Sequence, residues 1–164
     1  MRVDLNAWPA SDDRIPVANH PELKLTAKPR LVRDLMQTKV HTLLRNDKLS
    51  VADDLMKQER IRHLPVLDEY GDLAGILSQR DLFRGALLRA LGYGGRAEEH
   101  MLRTALVKEA MTEPVRTTAP DTSLKDAAAL MLKHRVGCLP VVDQGKLVGI
   151  ISESYMMRIV AEGG

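Results

Sequence analysis

The chain has 164 residues, 45% of them hydrophobic but only 3% aromatic, so aliphatic side chains and methionine must fill the core, and a broad aromatic stacking platform for single-stranded nucleic acid is not expected. Its 24 basic and 22 acidic side chains are interspersed and sum to +2, which leaves no electrostatic footprint for DNA or RNA. No apolar run approaches the roughly 18 residues that span a bilayer, the amino terminus lacks a signal-peptide core, and the single cysteine, Cys138, excludes an internal disulfide, so a cytoplasmic protein without nucleic-acid or membrane partners is expected.

Residues 1–30 carry Pro9, Pro16, Pro21 and Pro29 among mixed charges without periodicity. They read as an irregular arm, with Trp8 as the side chain able to anchor it to the rest of the fold or to a partner. After the arm the same text occurs twice. Met36, Leu49, Ala52, Leu55, Met56 and Leu64-Pro65-Val66 return 75 residues later as Met111, Leu124, Ala127, Leu130, Met131 and Leu139-Pro140-Val141. Gly75-Ile76-Leu77-Ser78 then returns as Gly149-Ile150-Ile151-Ser152 at an offset of 74, the lost residue falling in a turn.

Each copy opens with a short helical turn ending near Met36 or Met111, followed by an extended piece beginning at Val40 or Val115. A helix comes next, its apolar positions spaced for one buried face, behind Asn46-Asp47 as the cap in the first copy and Pro120-Asp121-Thr122-Ser123 in the second. The methionines of these stripes are core filler. Two short strands joined by an Asp/Gly-rich turn predict a hairpin in each copy, with Pro65 and Pro140 at strand starts or edges because proline donates nothing to a ladder. Between the copies, Gln79 to Leu91 predicts a helix, Gly94-Gly95 a turn, and Arg96 to Leu106 a further helix.

Catalysis is not expected. His20, His41, His63, His100 and His134 show no metal-ligand spacing, and there is no Walker glycine loop, GxSxG elbow or CxxC pair. Ser78 and Asp81 lack a histidine to mediate between hydroxyl and carboxylate, so they form no catalytic dyad. Their placement at a strand-to-helix passage suits either a helix cap or a ligand site, in which the hydroxyl and free amides meet phosphate and the carboxylate accepts from a ribose diol.

The duplicated β-α-β-β-α order resembles a tandem pair of CBS domains, named after cystathionine beta-synthase. The resemblance rests on Val32-Arg-Asp-Leu-Met36, Arg62-His-Leu-Pro-Val66, Gly75 to Leu82, Val107-Lys-Glu-Ala-Met111, Gly137-Cys-Leu-Pro-Val141 and Gly149-Ile-Ile-Ser152. It implies an α/β (α+β) fold of two pseudo-symmetric repeats packed through their sheets. The expected division is an arm over 1–30, a first repeat over 31–92, an inter-repeat segment over 93–106 and a second repeat over 107–162.

The resemblance further implies a non-catalytic regulatory module that binds AMP, ADP, ATP or S-adenosylmethionine between its repeats, usually as a homodimer and with no required cofactor or metal. The family's ribose motif carries over to Ser78 and Asp81, while Tyr155 stands at the aspartate position of the second copy. The dominant site is therefore expected at Val40, Leu43, Ile61, His63, Leu64, Pro65, Ser78, Arg80 and Asp81, and a weaker one at Val115, Cys138, Leu139, Pro140, Ser152 and Tyr155. The alternative is a structural or protein-interaction module with an empty or vestigial cleft, and either reading leaves room for an external protein target.

Overall fold

The hairpins follow from their turn residues. In the computed structural model, which describes residues 30–82 and 94–161, β2 (His63–Leu67) pairs antiparallel with β3 (Leu73–Ser78), and β4 (Cys138–Asp143) with β5 (Lys146–Ser152). The Asp68 carboxylate accepts from the amides of Tyr70 and Asp72, both at 2.9 Å, while Gly71 takes the left-handed conformation at φ +82°. The second turn is two residues long, with Gln144 at φ +46° and Gly145 at φ +80°, the paired positive angles that match a tight hairpin to strand twist. Both ladders slip at equivalent points, Val66/Leu67 and Val141/Val142.

A short parallel strand, β1 (Leu43–Leu44), extends the first hairpin to the order β1-β2-β3. Its expected counterpart after Val115 forms only the single bridge Thr118↔Val141. Pro65 and Pro140 lie inside buried strands rather than at their starts. Proline is tolerated at 140 because its carbonyl accepts from Thr118 N–H (3.0 Å), so the nitrogen faces that sparse side and removes nothing from the β5 ladder. Pro65 precedes the first β1 pairing, Leu43↔Val66.

Helix α1 (Leu49–Glu59) buries Leu49, Ala52 and Met56, the stripe its periodicity predicts. Its cap differs from expectation: Lys48 occupies that position without a side-chain bond to the helix it precedes, and the Asp47 carboxylate instead accepts from Leu44 N–H at 2.8 Å. Helix α2 (Gly94–Thr104) begins at the glycine pair expected to make a turn, and Met101 and Leu102 pack on the first core. Burial of that face outweighs the weak helix preference of two glycines. Helix α3 (Leu124–His134) has the expected cap, Ser123 Oγ accepting from Asp126 N–H at 3.0 Å. Helix α4 (Glu153–Ala161) follows β5 directly. Of the helix expected after Ser78, residues 79–82 are helical; its remainder and residues 1–29 of the expected arm lie outside the described residues. Among the described residues, no helix is long and apolar enough to cross a membrane.

Two cores hold this arrangement, and the chain crosses between them. Val32 and Leu35, at the head of the first copy, are buried with Ala127, Met131, Leu139, Val141 and Ile151 of the second. Val107, at the head of the second copy, is buried with Leu49, Ala52, Leu64, Val66 and Leu77 of the first. Backbone bonds fix the exchange in matching pairs: Val32 N–H donates to Thr122 C=O at 2.9 Å, and Val107 N–H to Asp47 C=O at 2.8 Å. Likewise Gln37 exchanges both of its backbone bonds with Ile150, and Thr112 does the same with Ile76. The two β-α-β-β-α repeats are thus pseudo-symmetric, each lending its leading segment to the other.

Candidate functional site

The crossing pairs Gln37 of the first copy with Ile150 in β5 of the second, and a cavity of about 250 Å³ lies there, lined by both copies. Its apolar wall comes from Val40, Ile61, Ile150 and Cys138, with the ring of Tyr155. Gln37, Ser152 and Ser154 supply neutral polar groups, and Lys39, His41, Arg60, Arg62, His63 and Glu153 the ionisable ones. The Tyr155 hydroxyl donates to Gln37 Oε1 at 2.8 Å, a side-chain bond between the two copies. The hydroxyls of Ser152 and Ser154 bond each other at 2.7 Å where β5 passes into α4. Gly137 is a close approach: a Cβ there would stand 3.3 Å from Glu153 Oε1 and 3.5 Å from His63 Cε1.

Burial shifts the protonation of individual groups in this cavity. It holds His63 below the usual imidazole value, reinforced by Arg62 and opposed by Glu153. His41 Nε2 instead lies 3.5 Å from Glu59 Oε2. The Cys138 thiol is pushed up to about 12, mainly by burial and then by Glu153, and therefore stays protonated through the physiological range. As the chain's single cysteine it makes a clean probe: a disulfide reagent should label native protein far more slowly than denatured protein. Equal labelling rates at neutral pH would contradict the buried, neutral thiol.

The fold divides the sequence-expected site residues differently from their grouping by copy. Val40, Ile61 and His63 of the expected first site join Cys138, Ser152 and Tyr155 of the expected second site in this one cavity. Leu43, Leu64 and Leu139 are core residues, and Pro65 and Pro140 are buried in their strands, outside the cavity lining. Val115, Ser78 and Asp81, half-buried, and Arg80, exposed, also lie outside it. The physical reason is the exchange: Val40 follows Gln37 to Ile150, not to Ile76 beside Ser78.

Ser78 and Asp81 form a local closure. Asp81 Oδ2 accepts from both the hydroxyl (2.6 Å) and the amide (2.8 Å) of Ser78, the reciprocal of a helix cap at residues 79–82. The cavity is also lined by residues that the sequence did not single out for the site: Gln37, Lys39, His41, Arg60, Arg62, Gly137, Ile150, Glu153 and Ser154. The signal for some of them was present: Gly137 and Arg62 hold equivalent positions before Cys138 and His63. Among the described residues, no group of three or more His, Cys, Asp or Glu side chains is placed to hold a metal ion.

Comparison with known proteins places this geometry in context. The family profile described as the CBS domain matches residues 32–87 and 107–162. CBS domain-containing protein YhcV of Bacillus subtilis (strain 168) is 36% identical over 121 residues, 74% of this chain and 79% of that protein. Several homoserine O-acetyltransferases also match, but the chain spans only about a quarter of their length. Among solved structures, CBSX2 in complex with AMP is 28% identical with a TM-score of 0.65, over 80% of this chain and 96% of that one. The CBS domain pair of protein MJ0100, in complex with 5′-methylthioadenosine and S-adenosyl-L-methionine, is 25% identical with a TM-score of 0.67, over 82% and 98%.

Proposed function

The chain belongs to the CBS-domain family of non-catalytic regulatory modules, and from that premise we propose that it binds an adenosine-containing ligand between its repeats. The observation that carries the reading is the cavity at the crossing, which combines apolar walls for a base with polar and charged groups from both copies. At about 250 Å³ it falls just below the roughly 300 Å³ where ligand pockets begin, which suits a nucleoside better than a dinucleotide. Relatives solved with AMP, and with 5′-methylthioadenosine and S-adenosylmethionine, support the same ligand class.

The pseudo-equivalent position around Ser78 and Asp81 is the second proposed cleft. Capping occupies Asp81 Oδ2, and its other carboxylate oxygen remains to accept from a ribose hydroxyl. Occupancy would act on a target by favouring one arrangement of the exchanged segments, because a ligand held by residues of both copies binds only where those copies meet. Calorimetric titration of nucleotide-free protein with AMP, ADP, ATP and S-adenosylmethionine tests the reading. Saturable binding is expected, with the Asp81→Ala variant losing one class of sites and keeping the other. Folded protein that binds none of the four ligands would overturn it in favour of an interaction module.

A further inference from the structure

Three cations gather at the cavity: Lys39, Arg60 and Arg62, all exposed. Each is held there by its backbone. Lys39 follows the Gln37–Ile150 bridge, Arg60 is the left-handed residue that ends α1 at φ +54°, and Arg62 immediately precedes β2. None of the three takes part in an ion pair among the described residues, although Arg33, Arg45 and Lys57 elsewhere are paired with Asp121, Glu113 and Asp53. The one carboxylate in the lining is Glu153, and His41 is engaged by Glu59. Burial and Arg62 keep the remaining basic group, His63, toward its neutral form.

This excess of positive charge discriminates between ligands that share an adenosine. AMP and ATP carry their charge as phosphate, which three cations lining one cavity attract. S-adenosylmethionine carries a sulfonium and an ammonium against one carboxylate and is repelled. Resting on the reading above, we infer that the cavity selects its adenosine ligand by negative charge, taking phosphate-bearing forms and rejecting the sulfonium form. The position that Tyr155 occupies reinforces the choice, since a phenol bonded to Gln37 offers no carboxylate to favour a cationic ligand.

The test is a charge series by calorimetry at low and high salt: uncharged adenosine, AMP, ATP and S-adenosylmethionine, on the wild type and on Lys39→Glu/Arg60→Glu. Both residues line this cavity and are exposed, so the double variant keeps the core; the single Lys39→Glu variant repeats the test if the double one is unstable. The wild type should bind AMP and ATP about tenfold or more tighter than adenosine, with S-adenosylmethionine weakest and the advantage shrinking at high salt. The double variant should lose most of that advantage. S-adenosylmethionine binding as tightly as AMP, or an anion preference untouched by the double variant, would overturn the charge inference and leave the adenosine reading standing. Binding of no member of the series to folded protein would remove both.

Discussion

Leu35→Ala should lower the stability of the fold by about 2–5 kcal/mol, the cost of emptying a buried leucine position that cannot collapse. Leu35 is 1% exposed, in the core built by Ala127, Met131, Leu139, Val141 and Ile151. The location of the damage matters as much as its size. Leu35 belongs to the first copy, but the amides that lose protection in native-state hydrogen exchange should be those of β4 and β5 and the face of α3 above them. Sub-global openings make such a difference visible even when complete unfolding is cooperative. A cost under about 1 kcal/mol, or earlier exposure of β2 and β3, would mean that each copy packs on itself and that the exchange is wrongly drawn.

That exchange marks the boundary of what the sequence made legible. The apolar stripes of α1 and α3, the Asp68 and Gly145 turns and the Ser123 cap are local: the residues that decide them lie within a turn of one another. The duplicate text therefore disclosed the repeats. Asp47 failed as a cap because Leu44 N–H, three residues upstream, claimed its carboxylate. Gly94-Gly95 failed as a turn because α2 buries apolar side chains further along.

The crossing had no local signature at all. Val32 and Val107 are the same residue in the same phrase, and either core would accept either valine, so nothing in the pattern says which hairpin Gln37 will join. The candidate site inherits this: Val40, Ile61, His63, Cys138, Ser152 and Tyr155 were all named from the sequence, but in two groups that the crossing merges into one cavity. Lys39, Arg60 and Arg62 escaped notice because an exposed cation acquires meaning only from what it converges upon.

Gly149→Ala should cost about 1–3 kcal/mol, the usual range for forcing extra volume into a close-packed site. A Cβ at this position would lie 2.7 Å from Met36 Sδ and 3.1 Å from the Gln37 carbonyl oxygen. The methionine is flexible and can retreat, but the carbonyl belongs to the bridge in which Gln37 and Ile150 exchange backbone bonds of 2.9 Å. At the equivalent Gly75, the nearest atoms are all in the Met111 side chain, the closest at 2.5 Å. Gly75→Ala should therefore cost less, despite the shorter contact, because only a side chain has to move. A double-mutant cycle separates the two terms: adding Met36→Ala to Gly149→Ala should recover the part of the loss due to the methionine and leave the part due to the backbone. The residual part has a functional reading, since this bridge is what brings Lys39, Val40 and His41 to the cavity. Gly149→Ala should weaken the ligand binding proposed for the cavity while Gly75→Ala leaves the cavity ladder intact. Equal stability costs at the two glycines, with Met36→Ala recovering the whole loss at Gly149, would show that the contact with the Gln37 carbonyl does not govern how the leading segment seats.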